Sequence, residues 1–194
     1  MKITPLSHEI NLAPDNPIRG QGLHASTIYT SLYQILDPRR YKKDSPPDPV
    51  RMGLGLAWEQ YLERLLPTQR ITAERPGELT SPHGFLYSPD LFVFSEGNKV
   101  FRVGEIKLTW MSSHEWPRSA TNGLPPGFGK WTTQAKLYCH EAQTPYATFY
   151  PYFVNGNYRT NSPEFLPLEI EFSARELKEN FQTLMQHARN ERLL

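Results

Sequence analysis

The stretch from residue 87 to residue 110 constrains the fold more than any other part of the sequence. It contains two runs rich in valine and phenylalanine, separated by the turn-favouring residues 95–99. This pattern predicts a β-hairpin. Asp90 opens the first run, and Glu105 and Lys107 lie in the second. Because side chains alternate between the two faces of a strand, Glu105 and Lys107 are expected on one face, where Asp90 could join them.

Two acids and a lysine at one point on a sheet suit the hydrolysis of a phosphodiester. Mg²⁺ prefers oxygen ligands and keeps several waters, so two or three carboxylates plus substrate oxygens are enough to hold it. The metal activates a water and offsets charge on the phosphate, and a nearby lysine can orient or deprotonate that water. Asp90, Glu105 and Lys107 supply these groups. The backbone carbonyl of Ile106 is a further candidate ligand.

The composition is that of a globular protein with a small net charge. The chain has 194 residues, 38% of them hydrophobic, which is enough for one domain with a buried core. Its 21 basic and 20 acidic residues give a net charge of +1, so any contact with nucleic acid must come from a local patch. Cys139 is the single cysteine, which excludes an intramolecular disulfide and a four-cysteine zinc or iron–sulfur site within one chain. No apolar signal segment or apolar run of about 18 residues is present, so a cytoplasmic location without membrane contact is expected.

Helical periodicity and capping residues predict four helices around the hairpin. They cover residues 27–36, with Ser26 as the N-cap; residues 49–66, with Asp48 as the N-cap and Pro49 in the first position; residues 130–141; and a last helix after Ser173, whose capping box is completed by Glu176.

Strands are predicted near residues 71–73, 146–154 and 168–172. The proline- and glycine-punctuated residues 1–22 are expected to form an extended arm, and residues 23–194 a single domain. This order predicts an α/β fold whose central sheet is flanked by helices.

Glu59 is the acid outside the hairpin with the best claim to a site. In the second helix it shares a stripe with Leu62 and Leu66, and a carboxylate on a buried side is costly unless something compensates it. We therefore predict Glu59 as a further metal ligand. Glu63, one turn later on the same side, is its rival.

The hairpin and the third helix together resemble a known nuclease family. Pro89-Asp90 followed by Glu105-Ile106-Lys107 resembles the PD-(D/E)XK signature. The sequence from Gln134 to Tyr138 resembles the QxxxY motif of the RecB-like and Cas4-like exonuclease branch, and the entry at His24 resembles the start of that branch. The resemblance covers residues 24–185.

The resemblance implies a restriction-endonuclease-like core with a central mixed β-sheet flanked by helices. It implies that Asp90 and Glu105 bind Mg²⁺ or Mn²⁺, that Lys107 assists the attacking water, and that Gln134 and Tyr138 lie near the DNA. Members of this family from phages and bacteria serve in DNA recombination, repair or end processing. DNA ends or single strands are the expected partners, recombination or replication proteins are further candidates, and the oligomeric state is open.

The cysteine count separates this chain from some members of that branch. Cas4-like nucleases carry four cysteines for an iron–sulfur cluster, whereas only Cys139 is present here. The chain therefore resembles the cluster-free, phage-type members, for which the compartment is the host cytoplasm.

Several further residues are candidate DNA contacts. Arg39, Arg40 and Lys42 form a basic loop that is either a phosphate-contacting patch or a solvated charge run. Lys130 and Trp131 follow a long irregular segment, whose aromatic residues either pack in the core or stack on unpaired bases. His24 is either a capping residue or a contact to metal or DNA.

Two alternatives to an exonuclease remain open on the sequence alone. One is a structure-specific or restriction-like endonuclease on the same fold. The other is a non-catalytic nucleic-acid-binding protein that kept the nuclease fold. The QxxxY helix and the short chain weigh against the first alternative, and the complete set of acids and lysine weighs against the second.

Overall fold

A computed structural model describes residues 20–41, 48–68, 72–95, 99–118, 123–155 and 162–194. The predicted arm therefore lies outside the described residues up to residue 19. Lys42, one of the three basic candidates for a phosphate contact, also lies outside them.

Four α-helices and eight β-strands follow one another along the described chain. The helices are α1 (Ala25–Leu36), α2 (Pro49–Thr68), α3 (Gly129–Glu141) and α4 (Ala174–Asn190). The strands are β1 (Ala73–Glu74), β2 (Leu79–Thr80), β3 (Leu86–Tyr87), β4 (Leu91–Phe94), β5 (Val100–Thr109), β6 (Tyr146–Phe153), β7 (Glu164–Phe165) and β8 (Leu168–Glu171).

The main sheet is mixed. Strand β4 pairs antiparallel with β1 on one side and with β5 on the other, and β5 pairs parallel with β6. The far edge of β6 pairs antiparallel with β8 over its first half and with β7 at its end. The predicted α/β architecture, a central mixed sheet flanked by helices, is confirmed.

Two hydrophobic cores lie on opposite faces of this sheet. The larger core packs α1, α3 and α4 against it through residues such as Ile28, Leu137 and Leu184. The smaller core packs Leu62 and Leu66 of α2 against Leu91, Ile106 and Tyr150. Burying apolar area on both faces is what holds a sheet between helical layers.

The helix starts follow the predicted caps with one exception. The Asp48 carboxylate accepts hydrogen bonds from the first turn of α2, and Ser173 and Glu176 form the capping box of α4. For α1 the prediction was wrong, because the helix begins at Ala25 with His24 as the N-cap and Ser26 lies inside the first turn. The extended backbone of His24 bridges to β3, so the chain enters the helix directly from that bridge.

The sequence analysis did not predict the short strand pairs. The pairing of β2 with β3 was not predicted, and neither was β7. A strand of two residues shows no periodicity, so sequence patterns cannot detect it. No helix within the described ranges is long and apolar enough to cross a membrane.

Candidate active site

Asp90, Glu105 and Lys107 converge at one point on the sheet. The Lys107 ammonium donates a hydrogen bond to Glu105 Oε2 at 2.7 Å and lies 3.4 Å from Asp90 Oδ2. The lysine and aspartate side chains are mostly buried, with 15% and 16% of their areas exposed. The Lys107 side chain therefore points into the same pocket as the two carboxylates, as the strand alternation predicts.

The pairing of β4 with β5 brings these residues together. Leu91 lies opposite Gly104 in the ladder, which puts Asp90 beside the next residues of β5. The Ile106 amide donates to Asp90 Oδ2 at 2.7 Å and fixes the aspartate side chain. A Cβ on Gly104 would lie 2.9 Å from the Leu91 Cβ, so only glycine allows the two strands to approach here.

The Glu105 carboxylate is fully buried, and its second oxygen has no hydrogen-bond partner among the described residues. Burial raises the pKa of Glu105 to about 8, although the positive charge of Lys107 opposes the shift. A buried carboxylate oxygen without a partner is costly to the fold. Such an oxygen is free to bind a cation.

The same surroundings also raise the pKa of Lys107, but for a different reason. Burial alone would lower its pKa, but the negative charges of Asp90 and Glu105 outweigh burial and raise it. Lys107 is therefore an ammonium in the metal-free protein. Its positive charge offsets the negative charge of Asp90, to which Glu105 adds once its carboxyl is ionised, above about pH 8.

A cavity of about 150 Å³ opens beside Asp90 between α1, α3 and the sheet. Its walls include four of the residues singled out from the sequence: His24, Asp90, Gln134 and Tyr138. The QxxxY helix therefore faces the same space as the aspartate. His24 also contacts Glu78, with 3.3 Å between its Nδ1 and a carboxylate oxygen.

Tyr29 lies in this cavity wall and was missed by the sequence analysis. It is buried, and its hydroxyl interacts with Tyr138. Burial raises the pKa of Tyr29 to about 12, and the charges of Lys107 and Glu105 also act on it. The sequence carries ten tyrosines, and nothing local distinguishes this one, because its position depends on how α1 packs against α3.

Glu59 lies at the edge of the site from the α2 side. Its carboxylate forms an ion pair with Arg75, which follows β1. Burial raises the pKa of Glu59, and the negative charge of Asp90 raises it further, so the two acids are close enough to interact. Glu63, the rival acid, is exposed on α2. The predicted buried stripe of Glu59, Leu62 and Leu66 agrees with the structure.

The ligand set of Glu59, Asp90 and Glu105 stays a prediction. Within the described ranges, no group of three or more histidine, cysteine, aspartate or glutamate side chains has the geometry of a metal site. On the α2 side, the Glu59 carboxylate is paired with Arg75. Asp90 and Glu105, with one buried carboxylate oxygen unpaired, still fit a hard cation that keeps most of its waters.

The remaining candidate DNA contacts lie in different surroundings. Arg39 is exposed, and Arg40 donates to the Gly127 carbonyl at 2.7 Å. The Lys130 ammonium lies 5.7 Å from the Tyr29 ring centre. Its pKa is lowered by burial and by the charge of Lys107, so Lys130 borders the site.

Trp131 packs inward rather than outward. Its ring lies against the rings of Phe128 at 5.2 Å, Trp116 at 5.9 Å and Phe149 at 6.4 Å. Trp116 and Phe128 are themselves buried. Of the two alternatives for these aromatic residues, the structure therefore shows packing in the core.

Comparison with known proteins gives no family assignment. No family model and no curated protein matches the chain. The solved structures that are similar include three that cover 88% of this chain. An alkaline exonuclease (LHK-Exo) from Laribacter hongkongensis is 15% identical with a TM-score of 0.49 over 89% of its own length, and LHK-Exo in complex with dAMP is 14% identical with a TM-score of 0.49 over 89%. A protein described as SSO0001 is 14% identical with a TM-score of 0.47 over 78% of its length.

Proposed function

We propose that this chain is a Mg²⁺- or Mn²⁺-dependent deoxyribonuclease of PD-(D/E)XK type, most similar in its motifs to the RecB-like exonuclease branch without an iron–sulfur cluster. The observation that carries the proposal is the convergence of Asp90, Glu105 and Lys107 in one pocket, where a buried oxygen of Glu105 has no hydrogen-bond partner in the part of the chain that the structure describes. A buried oxygen without a hydrogen bond does not stabilise the fold. It can, however, serve as a ligand in a site that binds a cation.

The two acids would hold the metal, with the Ile106 carbonyl as a further candidate ligand. Bound there, the metal would supply a Lewis acid and an activated water. Asp90 is held in place by the Ile106 amide, and Glu105 by the Lys107 ammonium. These contacts fix both carboxylates before substrate arrives, and preorganised charges are effective in catalysis because they need no rearrangement.

Lys107 would act on the phosphate and on the attacking water. As an ammonium it opposes the negative charge that develops on the phosphate oxygens and donates a hydrogen bond that orients the water. Its burial strengthens both effects, since solvent screens charges less in a buried pocket. Gln134, Tyr138 and His24 line the cavity beside Asp90 and would position the DNA strand there.

A digestion assay tests the proposal. Linear and closed-circular DNA, single- and double-stranded, are incubated with the protein in Mg²⁺, in Mn²⁺ and in EDTA. We expect the parent protein to digest linear DNA in the presence of metal only. Glu105→Gln and Lys107→Met should each lower the rate about 100-fold or more, the usual cost of removing one charged group from a site.

The matched control is Glu179→Gln, which removes an exposed carboxylate on α4 and should leave the rate unchanged. Equal digestion by the parent and by Glu105→Gln would overturn the proposal, as would the absence of digestion in every metal and DNA form. Cleavage of closed circles would assign an endonuclease instead of an exonuclease. DNA binding without any cleavage would assign a non-catalytic relative.

A further inference from the structure

One side of α2 exposes an aromatic surface to solvent. Leu54 is 46% exposed, Tyr61 55% and Phe165 of the neighbouring β7 38%. Trp58 and Tyr152 lie between them. We call these five residues the aromatic shelf. Large apolar side chains grouped at a surface usually mark a binding site, because the fold gains little from exposing them together.

The rings of the shelf are already stacked. Tyr61 lies on Trp58 with 5.4 Å between ring centres and 22° between planes. Trp58 is supported from below by Tyr152 at 4.8 Å and from the side by Phe165 at 5.4 Å. The inner rings therefore fix the outer one, and Tyr61 can accept another flat ring at little entropic cost.

The shelf lies near the acids of the proposed active site. Trp58 is adjacent to Glu59 in α2, whose carboxylate interacts with Asp90. Tyr152 of β6 pairs with Leu108, next to Lys107 in β5. Asp90 lies opposite Glu105, three residues before Leu108, so two strand spacings and a three-residue offset give a separation of about 14 Å between the Tyr152 and Asp90 backbones. The Tyr152 ring lies on the α2 face of the sheet, and Glu59 of the same helix connects that face to Asp90.

The charge at the shelf favours a polyanion. Arg51 lies on the same side of α2 as Leu54 and Trp58. Its side chain is 60% exposed, and its guanidinium lies 4.9 Å from the Trp110 ring centre. Its partner Asp48 is also half exposed, and exposed pairs of this kind are weak enough to exchange. Next to Phe165, the carboxylate of Glu164 is already paired with an arginine.

We propose that the aromatic shelf binds the unpaired bases of single-stranded DNA, with Arg51 contacting a phosphate of the same strand. The proposal rests on the proposed function, because the strand on the shelf would be the one whose phosphodiester enters the site at Asp90. A single strand presents base faces for stacking and phosphates for ion pairing, and ring platforms with nearby arginines recognise both without reading sequence. Duplex DNA hides its base faces.

The test measures binding without cleavage. Fluorescence anisotropy of a labelled twelve-residue thymidine oligonucleotide is followed with the full chain in EDTA. Tyr61→Ala should weaken binding by about 5- to 100-fold, the usual effect of removing one stacking residue. Tyr61→Trp keeps a flat ring and should bind within about two-fold of the parent, since stacking tolerates any aromatic face. Arg51→Ala should lower the slope of log affinity against log salt by about 1.

The controls separate stacking from other causes. Leu36→Ala removes an exposed apolar residue on α1 and should bind as the parent does. An abasic strand of equal length should bind equally to the parent and to Tyr61→Ala, because no base is present to stack. Circular dichroism confirms that the variants are folded.

Two results would overturn the inference. One is equal affinity of the parent and Tyr61→Ala for the thymidine strand. The other is a dimer in sedimentation that Tyr61→Ala converts to a monomer, which would make the shelf an interface between two copies. If no DNA form is cleaved but binding still depends on Tyr61, the proposed nuclease activity would be wrong. The aromatic shelf would then remain a binding surface for single-stranded DNA.

Discussion

Glu105 places a carboxylate where solvent does not reach. Its burial raises its pKa to about 8, whereas a glutamate in an unfolded chain has a pKa of about 4.3. Between these pH values the folded protein binds a proton that the unfolded chain has released. The contribution of this group to stability is therefore fully present below about pH 4 and is lost as the pH rises to about 8.

Glu105→Gln should therefore stabilise the metal-free protein. The amide keeps the shape of the side chain and removes the charge, so the gain should be small at pH 5 and larger at pH 8.5. A gain of ~1 kcal/mol would raise the melting temperature by about 2–4 °C in a chain of this size. Thermal unfolding at the two pH values in EDTA measures it, with Glu63→Gln as an exposed control. A lower melting temperature than the parent at pH 8.5 would contradict the prediction.

At the scale of elements, the contact between β4 and β5 depends on one glycine. The nearest atoms to a Cβ on Gly104 would be the Leu91 Cβ at 2.9 Å and the Tyr150 ring at 3.4 Å. The leucine Cβ is fixed by its backbone and cannot move aside. Gly104→Ala should therefore separate the strands and destabilise the protein by about 1–3 kcal/mol. Because Leu91 follows Asp90, the site should loosen with it.

Gly53→Ala on α2 is the matched control for this substitution. Apart from the backbone of its own helix, a Cβ there meets no atom of the described residues within 4 Å, and alanine in a helix is more stable than glycine by about 0.5–1 kcal/mol. The two substitutions should therefore change the free energy of unfolding in opposite directions. Urea denaturation of both variants measures these changes. Equal free energies of unfolding for the two variants would show that the hairpin tolerates a Cβ at residue 104.

The capping box of α4 makes a pH-dependent element. The backbone amide and then the hydroxyl of Ser173 lower the pKa of Glu176 to about 2, and Lys136 of α3 lies 3.1 Å away. The stabilisation is therefore present above about pH 4.3, the unfolded value, and is lost as the pH falls towards 2.

Glu176→Gln should lower stability at pH 7 by about 0.5 kcal/mol, the low end for a cap because the carboxylate is partly exposed. The difference from the parent should shrink as the pH falls below about 4.3 and disappear only near pH 2. Urea titrations at pH 7 and pH 2 measure it, with Glu179→Gln as the control in the same helix. A difference that stays constant over this pH range would mean that the charge of Glu176 contributes nothing.

Elements specified by neighbouring residues were predictable from the sequence. The capping box needs only residues three apart, and the shared face of Glu105 and Lys107 needs only strand alternation. The N-cap of α1 was not predictable, because it depends on the bridge from His24 to β3. The inward packing of Trp131 likewise depends on the buried Trp116, which is distant in sequence.

At the scale of the whole molecule, the site lies where both cores meet the sheet. The larger core contributes Tyr29 and Tyr138, and the smaller core side contributes Glu59 with Arg75. Only the packing of separate layers brings these residues to Asp90, so no local pattern indicates them. Strand alternation predicted the centre of the site, but its surroundings are a property of the assembled fold.

The ion pair of Glu59 with Arg75 joins α2 to the edge of the sheet and competes with a metal role for Glu59. The Glu59 carboxylate cannot be held by Arg75 and ligate a cation at Asp90 at once without sharing its oxygens. Arg75→Gln should therefore strengthen Mn²⁺ binding by about 2- to 5-fold, the value of a partly exposed pair. Glu59→Gln should weaken it.

Calorimetric titration with Mn²⁺ measures these affinities in the parent, in both single variants and in the double variant. If competition for the Glu59 carboxylate is the cause, Arg75→Gln should have no effect once Glu59 is an amide, so the two changes should not be additive. Asp90→Asn is the reference for loss of the metal site. Additive effects, or weaker binding in Arg75→Gln, would show that Glu59 stays with Arg75 and that Asp90 and Glu105 alone supply the protein's carboxylates.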